Sequence, residues 1–107
     1  MNQVLVNAIV TFGKKAQKVK ACEEMAELTK ELCRDIIDQG DIEHIYEEIA
    51  DVEIMLKQLR MIYGNDEKID NWKWLKLDRL ANRLAMDPLK YYGKTEGQKA
   101  PPHLEVI

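Results

Sequence analysis

Seven apolar residues between positions 42 and 63 (Ile42, Ile45, Ile49, Val52, Leu56, Leu59 and Tyr63) recur at alternating steps of 3 and 4. On a helix such a run falls along one stripe, and a stripe of this kind packs against helices that run nearly parallel or antiparallel to it. The preceding stretch carries an analogous stripe at Val19, Cys22, Ala26, Thr29, Cys33 and Ile37, which Met25, Leu28, Leu32 and Ile36 widen to about half of the circumference. Glycine and proline punctuate these patterns into four predicted helices. The first covers 2–11 and ends near Gly13, and the second covers 14–39 and stops at Gly40. The third runs from an N-cap at Asp41 to Tyr63, before Gly64-Asn65-Asp66, and the fourth spans 70–86, ahead of Pro88. No stretch alternates for long enough to predict a strand.

The expected fold is therefore all-α, a four-helix bundle over residues 1–90 with an irregular C-terminal tail over 91–107, where Gly93, Gly97, Pro101 and Pro102 fall. Four short helices cannot cover an apolar arc as wide as that of the second helix. Self-association into a homo-oligomer is the simplest remedy, because a chain of 107 residues is near the size at which partner subunits begin to help. With 46% hydrophobic and 33% charged residues the chain has the balance of a folded domain and not of a disordered one. No apolar run approaches the roughly 20 residues needed to cross a bilayer. The opening Met1-Asn2-Gln3-Val4-Leu5 has no basic segment of the kind that begins a secretory leader, so a cytoplasmic location is expected. Cys22 and Cys33, about 16 Å apart along one helix, are too distant to bridge within the chain and are expected to be buried, reduced thiols.

Net charge is only −3, yet it is unevenly placed. Residues 1–19 hold three lysines and no acid, residues 20–53 hold twelve acids against three bases, and residues 54–99 hold ten bases against six acids. Phosphate-backbone contacts call for one continuous basic face, so an acidic centre between basic segments argues against nucleic acid. It suits a cation held by acids, with basic groups nearby for an anion.

Two pairs of carboxylates concentrate that acidity. Glu24 and Glu27, then Glu48 and Asp51, are each spaced i, i+3, so each pair projects from one helix face a turn apart. Like charges at that spacing weaken an isolated helix, and Glu23, Glu31 and Glu47 add to the repulsion. A cation shared between the pairs removes the penalty. Mg²⁺ takes oxygen ligands and keeps part of its water shell, so a few carboxylates plus substrate phosphates suffice. In an antiparallel hairpin turning near Gly40, Glu27 lies 13 residues before the turn and Asp51 lies 11 after it, which places both pairs at similar depth. The rival reading of the second helix is a solvated stripe, since Lys20, Glu24, Glu27 and Glu31 fall on its polar half. The third helix resists that reading, because Glu48 and Asp51 border its apolar seam.

Gln17-x-x-Lys20-x-x-Glu23-Glu24-x-x-Glu27-Leu28, followed by Glu47-Glu48-x-x-Asp51-Val52, resembles the MazG-like family of all-α nucleoside triphosphate pyrophosphohydrolases, marked by E-x-x-E, an intervening helix–turn stretch and E-x-x-D. The resemblance extends over about residues 3–84 and includes the basic Lys76-x-x-Arg79-x-x-x-Arg83. It implies a MazG-like four-helix bundle that assembles as a homodimer or homotetramer. It also implies Mg²⁺, with Mn²⁺ as a possible substitute, held by Glu24, Glu27, Glu48 and Asp51. The implied reaction converts an NTP or dNTP and water into the monophosphate and pyrophosphate. Gln17, Lys20, Lys76, Arg79 and Arg83 are candidate substrate-binding residues, the cations offsetting charge on the leaving pyrophosphate; a solvated basic stripe is the alternative for the last three. Glu23 and Glu47 are both candidates for the proton acceptor. Trp72, Trp74, Tyr91 and Tyr92 can stack on a base, and Asn2, Asn7 and Asn82 can read its edge, with nothing in the pattern to choose among them. The competing function is a non-catalytic helical scaffold, in which the seam serves oligomerisation and the acids only solvation. A di-iron bundle fails for want of two Glu-x-x-His motifs.

Overall fold

A computed structural model describes residues 2–85. The expectations for the tail, the stop at Pro88 and the pair Tyr91-Tyr92 lie outside the described residues. The described residues fold into four helices, α1 (Asn2–Phe12), α2 (Lys14–Ile36), α3 (Ile42–Tyr63) and α4 (Asp66–Leu84), with no strand among them. None of these helices is long and apolar enough to cross a membrane. They group into two compact units, Met1–Asn65 and Asp66–Ile107. The start of α4 lies four residues earlier than the sequence pattern places it, with Asp66 and Glu67 in the first turn, where negative charge complements the helix dipole.

In the first unit α2 and α3 pack as an antiparallel hairpin, and α1 lies against both through buried Leu5 and half-buried Ala8 and Ile9. Residues 37–41 make the turn. A Cβ on Gly40 would sit 2.9 Å from the Asp35 Cα, so the chain can pass this close only without a side chain. Asp41 then caps α3, its carboxylate accepting a hydrogen bond from the Glu43 N–H at 3.0 Å. At the far end Gly64 adopts the left-handed conformation (φ 69°), and its N–H closes the helix on the Arg60 carbonyl at 2.8 Å.

The faces that meet in this hairpin differ from those the apolar pattern predicts. On α2 the inward positions are Gln17, Ala21, Glu24, Leu28 and Glu31, of which Gln17, Ala21 and Glu31 are buried. The expected seam points outward instead, with Val19, Cys22, Ala26, Thr29, Cys33 and Ile37 all exposed, so the expectation of buried thiols is overturned. On α3 only three of the seven residues of the predicted stripe turn inward: Ile45 is buried and Val52 and Leu59 are half-buried, while Ile42, Ile49, Leu56 and Tyr63 are exposed. Met55 and Gln58 complete its buried positions. The physical reason lies in Ala21, which is 1% exposed. A methyl side chain lets the helix axes approach there, and the long stems of Glu24 and Glu31 can lie along the contact with their carboxylates gathered at its edge.

Candidate functional site

The inward register of α2 and α3 carries acids. One carboxylate oxygen each from Glu24 on α2 and from Glu48 and Asp51 on α3 lie within 4.8 Å of one another. Glu24 and Glu48 are half-buried, and Glu48 Oε2 is a buried oxygen with no hydrogen-bond partner. Glu27, the fourth acid of the two motifs, is exposed and is not part of this close group, although its charge acts on Glu48. Glu31, expected on a solvated stripe, is 7% exposed and its charge also acts on Glu48.

Crowding of like charge at a desolvated edge has the expected electrostatic consequence. The Glu48 carboxyl is pushed above its ordinary value of 4.5, first by burial and then by the charges of Asp51 and Glu24. Asp51 is raised above 3.8, again first by burial and then by the neighbouring charge of Glu24. Lys20 offsets part of this charge. Its ammonium meets Glu24 Oε1 at 3.1 Å and Glu23 Oε2 at 3.8 Å, and the hydrogen bond to Glu24 holds the lysine pKa above 10.5. Lys20 is more than half exposed, so this pair sits at the solvent edge of the cluster and is not a buried ion pair.

The residues present fit a hard divalent cation. The donors are all carboxylate oxygens, they come from two helices, and one of the three residues, Glu48, has a buried oxygen without a partner, a state that costs free energy unless a proton or a cation fills it. Beside Lys20 a groove of about 420 Å³ is lined by Phe12, Ala16, Gln17, Val19, Glu23 and Met55. Gln17 and Lys20, spaced i, i+3 on α2, both line it. Phe12 and Met55 escaped the sequence reading. Phe12 stands next to Gly13 at the end of α1, a weak signal, while Met55 reads as core.

In the second unit, Lys76, Arg79 and Arg83 share one face of α4 and line a common hollow with Asn82. Trp74 borders a separate hollow with Asp70, Lys73 and Leu77. Trp72 is half exposed. Compared with models of known protein families, with curated proteins and with solved structures, the chain matches none.

Proposed function

We propose that this chain is a MazG-like, Mg²⁺-dependent nucleoside triphosphate pyrophosphohydrolase of the cytoplasm, self-associating as a dimer or a pair of dimers. The observation that carries the reading is the partnerless Glu48 oxygen inside a three-carboxylate cluster built from two helices. Glu24, Glu48 and Asp51 would hold the cation, with Glu27 reaching in from the next turn of α2. When bound, the cation screens phosphate charge and lowers the pKa of a coordinated water. Lys20, paired with Glu24 at the rim, would leave that carboxylate free for a cation and offer its ammonium to a phosphate oxygen. Gln17 and Phe12 offer an amide and an aromatic face for the nucleoside in the adjoining groove. Glu23 lines that groove, and Glu47 acts electrostatically on Asp51, so each remains a candidate to accept the proton of the attacking water. Lys76, Arg79 and Arg83 are the candidate cations for the leaving pyrophosphate.

The test is a panel of NTPs and dNTPs with Mg²⁺ in which pyrophosphate and orthophosphate are scored separately. The reading predicts pyrophosphate and the nucleoside monophosphate in equal amounts, and turnover to orthophosphate alone would overturn it. The exposed apolar rows of α2 and α3 favour one other reading, a helical oligomerisation scaffold. No turnover and no cation response, in a chain that still self-associates, would select that alternative.

A further inference from the structure

We infer that α1 is a lid hinged at Gly13, which swings Phe12 onto a nucleoside seated in the groove beside Lys20. This deepens the reading above and rests on its nucleotide, and the experiment below separates the two. The inward stripe of α1 is Leu5, Ala8, Ile9 and Phe12, spaced i, i+3, i+4 and i+7. Contact along that stripe fades toward Gly13. Leu5 is 6% exposed, Ala8 and Ile9 are half-buried, and Phe12 is 66% exposed. Phe12 borders the groove of about 420 Å³, which buried Met55 of α3 also lines. The last residue of the stripe therefore meets a hollow where the first three meet side chains.

The joint behind Phe12 is built to turn. Gly13 belongs to both helices: its N–H donates to the Ile9 carbonyl at 2.9 Å, closing α1, and its carbonyl accepts from the Gln17 N–H at 3.1 Å, opening α2. Between the two, its backbone stands at φ 92° and ψ 153°, a region that side chains of L-residues rarely enter, and it caps α2 without a side-chain hydrogen bond. Nothing lies within 4 Å of the place where a Cβ would stand, so no neighbour wedges the joint. Beyond it, α1 rests on the hairpin through apolar contact, and the Gln3–Asn7 hydrogen bond is internal to the helix. Torsions at one such residue are enough to move a rigid element in hinge closure. The hinge is also tied to the groove wall, since the Gln17 that bonds to Gly13 lines the groove. A planar ring in that groove gives Phe12 the apolar partner that the rest of its stripe finds in the hairpin.

Amide hydrogen exchange of the full chain tests the lid. The probes are Mg²⁺ with the non-hydrolysable α,β-imido forms of the common dNTPs and NTPs, tried in turn, with binding measured separately by calorimetry. With an analogue bound, the amides of 5–13 should exchange about ten-fold more slowly, while those of the turn at 37–41 should not change. Gly13→Ala fits the space but not the backbone angle. It should re-aim α1, weaken the analogue about ten-fold and abolish the protection, with helix content and Mn²⁺ binding retained. Phe12→Ala should weaken the analogue likewise, and Phe12→Tyr should bind it as the native chain does. An analogue bound with no change in exchange at 5–13 would overturn the lid and leave the reading above standing. Loss of Mn²⁺ binding in Gly13→Ala would make Gly13 a structural joint and not a hinge. Failure of every analogue to bind would overturn the nucleotide reading and the lid with it.

Discussion

The two flanks of the α2–α3 hairpin contradict the usual division of a helix into an apolar inside and a polar outside. The inner contact holds Gln17, Glu24, Glu31, Glu48, Asp51 and Gln58 among a few apolar side chains, while the outer flank carries Met25, Leu32, Ile36, Ile42, Ile49 and Leu56. A chain that buries carboxylates and exposes leucine and isoleucine gives up stability within the single subunit, since buried charge disfavours the fold and exposed apolar surface contributes nothing to it. The arrangement makes sense if each flank meets something else: a cation inside, another subunit outside.

The largest effect should come from the inner flank. Glu48→Gln keeps the shape of the side chain but removes its charge, and pyrophosphate release should fall by about 100-fold or more with helix content retained. Glu27→Gln, at the exposed position outside the close group, should lose less. Equal losses would place Glu27 among the ligands on a par with the other three.

A smaller effect should appear in the dependence of stability on pH without metal. Glu48 and Asp51 have raised pKa values in the folded chain, so the folded state holds more protons than the unfolded one just above the ordinary values of 4.5 and 3.8. Their contribution to stability is complete below those values and is lost as pH rises through the raised ones. The melting temperature of the native protein should therefore fall relative to that of Glu48→Gln/Asp51→Asn across that window, and Mg²⁺ should narrow the gap. Parallel melting curves for the two proteins at every pH would show that the acids do not feel one another.

The smallest effect concerns Gln58, 3% exposed, with a buried amide oxygen that lacks a partner. Gln58→Met replaces the stranded acceptor with an apolar group of similar length and should stabilise the fold by about 1 kcal/mol in chemical denaturation, with or without Mg²⁺. Destabilisation instead would mean that the glutamine is satisfied in solution and belongs to the working site.

Much of this is legible in the sequence. The glycines and Asp41 mark three of the helix boundaries closely, and the i, i+3 spacing of the acids on either side of the turn places Glu24 near Glu48 and Asp51. What the pattern could not reveal is which flank of each helix turns toward its neighbour. Periodicity says which residues share a stripe, and it points the apolar stripe of α2 inward because apolar side chains are usually the buried ones. The contrary signal was present: Gln17, Glu24 and Glu31 recur every seven residues, as do Asp51 and Gln58, so a polar seam runs beside the apolar one. Ala21, small enough to admit a close neighbour, lies within that polar seam.

The central claim is that Glu24, Glu48 and Asp51 form one cation site. Titration of Mn²⁺ followed by electron paramagnetic resonance, in which protein-bound ion loses the sharp signal of the free hydrated ion, addresses it without reference to substrate. The native chain should quench that signal at a fixed stoichiometry per subunit, Mg²⁺ should restore it, and Glu24→Gln/Glu48→Gln/Asp51→Asn should not quench it at all. Equal quenching by the native and substituted proteins, or none by either, would contradict the account.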